Sequence, residues 1–306
     1  MSIVVQDLVK YYGSHKALDS ISFSAEPGTI LGFLGPNGAG KSTTMKILAG
    51  FLPSASGKVL ISGLDIETHS YAARAKIGYL PENNPLYPDM YISEFLTFVA
   101  NIYKIKARKQ AVSKVIDQTG LEAMKGKKIG SLSKGFRQRV GLAGAIIGNP
   151  EVLILDEPTS GLDPNQLSEI RSLISELGKE KTVLFSTHIM QEVESICDRV
   201  VILNKGKIVA NDSVISILES NLSGIIFLVE FDAIMLESDL RSLPEVIRVI
   251  KQDSKDQSFI YEITTQKEDR IRQNLFDLAV KQNRILLGLK KVENDLSNIF
   301  SNLTKP

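Results

Sequence analysis

The sequence predicts an α/β protein that ends in a small α+β unit. Three observations carry this. An apolar run, Thr29-Ile30-Leu31-Gly32-Phe33-Leu34, leads into the glycine-rich stretch Gly35-Pro36-Asn37-Gly38-Ala39-Gly40-Lys41-Ser42 and then a helical segment closed by Gly50. A second apolar run, Val152–Leu155, ends in two carboxylates, Asp156 and Glu157. From about residue 222 the pattern becomes strand, helix, strand, strand, helix, strand.

Taken in order, residues 1–34 read as a β-rich N-terminal stretch. Ile3-Val4-Val5 and Ser20–Ser24 are of strand type, Pro27-Gly28 is a turn, and Tyr11-Tyr12-Gly13 lies between the strands. A tyrosine ring there offers a face on which a base could stack, although most such rings simply pack. The stretch Gly35–Ser42 fits G-x-x-x-x-G-K-[ST], the P-loop pattern, in the strand–loop–helix context the pattern needs. Glycines let successive N–H groups turn into one concavity and hold phosphate oxygens, and the helix behind adds the positive end of its dipole. Lys41 supplies a point charge for β- and γ-phosphates, Ser42 a hydroxyl for Mg²⁺, and Thr43 opens the helix beside them.

Beyond the loop, residues 58–63 and 77–82 read as strands, the second ending at Glu82, and residues 83–88 as a loop. Residues 93–147 are mostly helical, with stripes at Phe95, Leu96, Phe98, Val99 and Ile102 and at Val112, Val115 and Ile116. A helical insert therefore interrupts the α/β core. Within it, Ser133 is an N-cap for the helix that follows, and Gly135 permits close backbone approach. A helix start is an anion site, although an ordinary capped helix explains the same residues. At the end of the 152–155 strand, Asp156 is placed to orient a Mg²⁺ shell and Glu157 to polarise an attacking water. Thr182–Thr187 is a further buried-type strand, and His188 follows at the edge where ligands of open α/β sheets collect. Val200–Leu203 and Lys207–Ala210 read as a hairpin around Asn204-Lys205-Gly206.

In the last part, strands are expected at 225–231, 246–251, 258–265 and 284–289. Helices are expected near 239–243 and over 267–281, with a final one over 293–303. This order suggests a ferredoxin-like unit, and no chemical motif falls in it.

Composition narrows the function. Lys+Arg is 36 against Asp+Glu 35, a formal net charge of +1, without the basic surplus of a general nucleic-acid binder. The single cysteine, Cys197, excludes an internal disulfide and reads as a small apolar filler on a helix. The N-terminus has no signal-peptide pattern, and no apolar run approaches the length of a membrane span. Any membrane part is expected on another chain.

Together these stretches resemble the ATP-binding subunits of ABC transporters, over roughly residues 1–215. Gly35–Ser42 matches the Walker A loop, and Val152–Asp156 with Glu157 matches Walker B. Ser160-Gly161-Leu162-Asp163 matches the D-loop, and His188 the H-loop. Leu132-Ser133-Lys134-Gly135-Phe136 matches the signature motif, and Tyr12 the aromatic A-loop. The resemblance implies an ABC-type P-loop NTPase fold, with an ATP-binding domain over 1–221 (helical subdomain 88–150) and an accessory domain over 222–306. It implies ATP and Mg²⁺ as cofactors, with Ser42 and Asp156 at the metal and Glu82 a further candidate. Glu157 and His188 would be catalytic. Tyr12 and Gly35 through Thr43 would bind the nucleotide. Ser133, Gly135 and Asp163 would reach the nucleotide of a second subunit in a head-to-tail homodimer. The implied partner is a separate transmembrane permease, received near 82–90 on the cytoplasmic face of the inner membrane.

Two departures stand out. Lys134 and Phe136 replace two residues of the usual Leu-Ser-Gly-Gly-Gln, and Glu82 holds the lid position that is usually glutamine. Both resemble the export-type branch, which often carries a C-terminal appendage. Within it the chain is most similar to subunits associated with gliding motility in Bacteroidetes. Two alternatives are a soluble ABC-type ATPase acting on ribosomes or DNA, and a P-loop small-molecule kinase. A single P-loop, balanced charge and the absence of sustained heptads count against the first, and the signature, D-loop and H-loop together against the second.

Overall fold

A computed structural model describes residues 1–220, 225–252, 258–266, 270–292, 296 and 300. The chain divides into two compact units, Met1–Val214 and Ile215–Leu303.

The first unit begins with a hairpin, β1 (Ile3–Tyr12) and β2 (His15–Ala25), followed by β3 (Ile30–Leu34) and α1 (Lys41–Leu48). Then come β4 (Ser56–Ile61), β5 (Leu64–Asp65), α2 (Ser70–Arg74) and β6 (Ile77–Leu80). The helical insert carries α3 (Ile92–Ile102), α4 (Arg108–Gln118) and α5 (Lys134–Ile146). The core resumes with β7 (Val152–Asp156), α6 (Pro164–Gly178), β8 (Thr182–Thr187), α7 (Met190–Ile196), β9 (Arg199–Asn204) and β10 (Lys207–Ser213).

Two sheets result. An antiparallel one has the order β2-β1-β4-β5, and a six-stranded one has the order β10-β9-β3-β8-β7-β6, parallel except for β10. Every residue of β3, β7 and β8 is buried, as expected of strands with both faces covered. The rings of Phe23 and Phe33, 5.1 Å apart, join the two sheets in one core that also takes in Met45, Ile47 and Leu48 of α1. The parallel register sets Leu34 beside Thr187, and Asp156 beside Ser186. The glycine loop, the two carboxylates and His188 therefore leave the sheet at one edge.

The N-terminal strands are longer than the sequence pattern indicates. Asp7 and Ser20 have φ of +46° and +54°, which breaks the alternation that marks a strand while pairing continues across the irregularity. The predicted hairpin after β9 is present, with positive φ at both Lys205 and Gly206, as a tight antiparallel turn requires. The unpredicted α6 is capped by Asp163, which accepts from Gln166 N at 2.9 Å, with Pro164 at the first helical position.

The second unit opens with α8 (Val214–Ser220). It comprises β11 (Ile225–Phe231), α9 (Glu237–Arg241), β12 (Val246–Lys251), β13 (Phe259–Thr265), α10 (Ile271–Lys281) and β14 (Leu286–Val292). Its sheet order β12-β13-β11-β14, antiparallel throughout, is the ferredoxin-like arrangement. Phe227, Val229, Phe231, Tyr261, Ile263 and Leu275 form its core. β14 starts later than expected because Arg284 N closes the end of α10 on Ala279 O, and Asp232 takes Ile285 N. The expected start of α10 at 267–269 lies outside the described residues, as does most of the expected final helix over 293–303.

Candidate active site

The glycine loop is shaped by what surrounds it. A Cβ on Gly35 would stand 2.6 Å from Leu203 O. One on Gly40, where φ is +109°, would stand 2.9 Å from Ala17 O. Neither position has room for a side chain, and Gly40 adopts backbone that L-residues avoid. The loop delivers Lys41 into a buried position. Its ammonium donates to Gly35 O at 2.7 Å and Pro36 O at 3.4 Å, and lies 3.5 Å from Glu157 Oε1.

Across from the loop, Ser42 Oγ donates to Asp156 Oδ1 at 3.1 Å, and Ser186 Oγ donates to the same oxygen at 2.7 Å. Asp156 is thus aimed at Ser42 by a serine of the neighbouring strand, a partner that the sequence reading missed. The following residue, Glu157, has φ of +49°. A non-glycine residue in that region is strained by on the order of 1–3 kcal/mol. It is held there because its N–H donates to Ser186 Oγ at 2.9 Å and Ser186 O at 3.2 Å. The kink turns the Glu157 carboxylate away from the strand line, where its Oε2 meets His188 Nδ1 at 2.8 Å. Glu157 is 7% exposed. A carboxylate this dry and flanked by an ammonium and an imidazole is suited to accept a proton from a water lying against it.

These groups surround a cleft of about 540 Å³. Tyr12, Asn37, Gly38, Gly40, Lys41, Ser42, Thr43, Glu82, Glu157 and His188 line it, together with His15, Ala17 and Ser160. Gly35, Pro36, Ala39 and Asp156 do not; Asp156 is buried and bonds to Ser42 of the lining. The carbonyls of the first two hold Lys41, and Ala39 is packed in the core. His15 and Ala17 come from the β1–β2 hairpin, and only their nearness to Tyr12 in sequence could have marked them. Tyr12 is exposed at the cleft mouth, as a stacking face would be.

The oxygen set of Ser42 Oγ and Asp156 Oδ1, joined directly to each other, fits a small hard cation that takes one or two protein oxygens and completes its shell with phosphate and water. Bound there, Mg²⁺ would neutralise charge on the β- and γ-phosphates. Glu82 lines the cleft.

Ser133, Gly135 and Asp163 lie elsewhere: none of them lines this cleft. Ser133 Oγ accepts from Phe136 N at 3.4 Å and opens α5. Gly135 is pressed against Gln166 of α6, where a Cβ would meet the side-chain oxygen at 2.6 Å. The Lys134 side chain extends over Gly161, so that a Cβ there would stand 2.3 Å from its Nζ. The signature turn and the start of α6 thus form one surface.

A second hollow, of about 830 Å³, opens between the core and the helical insert. Phe51, Tyr71, Tyr79, Pro85, Phe95 and Ile102 are among its walls, with Lys46, Arg74 and Lys104 around them. Phe51 and Tyr71 are 69% and 79% exposed, so large rings stand open to solvent. Burial, with the Asp156 charge adding, pushes the Tyr79 hydroxyl well above the ordinary phenol range.

A fold and a cleft of this kind define a nucleotide-binding P-loop protein. Residues 18–160 match the ABC transporter family model. The linearmycin resistance ATP-binding protein LnrL of Bacillus subtilis is 31% identical over 98% of this chain and 97% of its own length. The bacitracin transport ATP-binding protein BcrA of Bacillus licheniformis is 39% identical over 68% of this chain and 69% of its own. Among solved structures, an ATP-binding subunit of an ABC transporter is 29% identical with a TM-score of 0.66, covering 72% of this chain and 93% of that one. The chain belongs to the ABC transporter ATP-binding family.

Proposed function

We propose that this chain hydrolyses ATP with Mg²⁺ and, as a homodimer, powers a separate membrane permease of the exporter type. The observation that carries the reading is the convergence of Lys41, Ser42, Glu157 and His188 on one cleft, with Asp156 bonded behind Ser42, while Ser133, Gly135 and Asp163 do not line it. Residues that match a phosphate-gripping motif but lie off their own cleft fit a second copy's nucleotide. A triphosphate held by two chains makes their closure depend on ATP, and hydrolysis releases it. In this scheme Lys41 and the loop amides bind the phosphates, and Ser42 and Asp156 hold the metal, with Glu82 reaching its shell. Glu157 draws a proton from the attacking water and His188 orients that carboxylate.

The apolar hollow supplies the receiving surface. Its occupant in this reading is a short helical segment of the permease, with apolar residues for Phe51, Tyr71 and Ile102 and a carboxylate for Lys46 or Arg74. Leu80 and Pro81 line the hollow and Glu82 lines the nucleotide cleft, so one stretch of chain borders both. Among the described residues no helix is long and apolar enough to cross a membrane, and in this reading the partner carries the span. The export direction rests on the resistance and transport proteins among the relatives. Location on the cytoplasmic face, a functional division into 1–221 and 222–306, and a role in gliding motility complete the proposal.

The test is to express the chain with and without a candidate multi-span permease. Membrane recovery and stimulated ATP turnover only with that protein support the reading. Equal turnover with ribosome or DNA co-purification instead would favour the soluble alternative. Loss of gliding on deletion would establish the last element.

A further inference from the structure

Glu192 is 0% exposed, and a buried carboxylate is costly unless it is well partnered. Here it has little. Thr187 Oγ1 donates to Glu192 Oε2 at 2.5 Å, while Oε1 is buried with no hydrogen-bond partner. Stability alone would be served better by an apolar side chain.

The geometry around it is specific. Thr187 ends β8, directly before His188. Its Oγ1 donates to Glu192 and accepts from Ile189 N at 3.0 Å, on the other side of His188. Glu192 N in turn donates to Ile189 O at 3.2 Å. The bonds form a closed ring through 187, 189 and 192, and His188 is the residue the ring brackets. The anchor is firm, because α7 is pressed onto β3: a Cβ on Gly32 would stand 2.9 Å from Cys197 Sγ and 3.2 Å from Val193. The surroundings are dry. Burial, with the Asp198 and Glu192 carboxylates adding, pushes the Cys197 thiol far above its ordinary value. His188 itself projects from this ring with its side chain half exposed and touches the site through one bond, Nδ1 to Glu157 Oε2 at 2.8 Å. Its aim is therefore set by its backbone rather than by packing around the ring.

We propose that Glu192 is a positioning residue for His188, acting through Thr187. The buried acid orients the threonine hydroxyl, the hydroxyl fixes the backbone on both sides of His188, and the imidazole is held on Glu157. The inference rests on His188 taking part in turnover. A displacement of about 1 Å at a reacting group can cost two orders of magnitude in rate.

Four variants test it by steady-state ATPase measurements on the full chain. Glu192→Gln keeps an acceptor for Thr187 and is expected to stay within about 2-fold of wild type. Glu192→Leu removes the acceptor and is expected to lower kcat by about 10-fold or more, with the KM for ATP within about 3-fold. Thr187→Val, nearly isosteric, should reproduce that loss if Glu192→Leu does not fold. In a His188→Ala background, Glu192→Leu should add less than about 2-fold, because the residue it positions is gone. Wild-type kcat in Thr187→Val, a full further loss in the His188→Ala background, or no rescue by glutamine would each overturn the proposal. Absence of ATP turnover in the wild type would instead overturn the function proposed above.

Discussion

The nucleotide cleft and the apolar hollow are built from adjacent parts of one unit, yet their walls differ in kind. The cleft is lined by glycines, hydroxyls and charged groups, and its Lys41 and Glu157 are almost wholly buried. The hollow is lined by rings and aliphatic chains, several open to solvent, with cations around them. The first arrangement holds a small ligand of high negative charge at fixed positions. The second offers area and little directional bonding, which suits a peptide surface. The comparison teaches that a polar cleft and an apolar hollow are built separately in one unit, and that the stretch Leu80–Glu82 borders both.

The strongest way to break the comparison is at Glu157. Glu157→Gln keeps size and hydrogen bonding but removes the base, and turnover is expected to fall by about 10²- to 10⁴-fold while ATP still binds. Phosphate-release kinetics beside a nucleotide-binding titration check it, and undiminished turnover would remove Glu157 from the role. Next is Lys41→Ala, which takes away a charge-assisted contact with phosphate. Nucleotide affinity is expected to weaken by about 10- to 100-fold, and unchanged affinity would contradict the loop's assignment. The smallest effect belongs to the hollow. Phe51→Asp with Tyr71→Asp alters two exposed rings, so turnover of the isolated chain is expected to change by less than about 2-fold. Stimulation by the permease should be lost, and retained stimulation would place the docking surface elsewhere.

The sequence made the cleft legible because a phosphate-binding loop constrains both residue type and spacing. Gly40, Lys41 and Ser42 have to follow one another, and Asp156-Glu157 has to end a strand. It did not reveal Ser186, which aims Asp156, or His15 at the cleft mouth. A serine on a strand and a histidine in a hairpin carry no pattern, and their roles arise from a pairing between distant segments. Nor did it mark Glu192, whose charge reads as a solvated helix face until burial is seen. The β-rich N-terminal stretch was legible in kind but not in length, because irregularities at Asp7 and Ser20 hide continuous pairing. In the second unit, period-two burial along β11 and β13 made the strands readable and gave the ferredoxin-like order, but no chemical motif marks its function in the sequence.

The central claim is that the triphosphate is shared between two copies of this chain. Light scattering on Glu157→Gln, with Mg²⁺ and either ATP or ADP, tests it most directly. The account predicts a dimer with ATP that reverts to monomer with ADP, and that is lost when Ser133→Arg is added. A monomer under both nucleotides, with ATP shown to be bound, would contradict it.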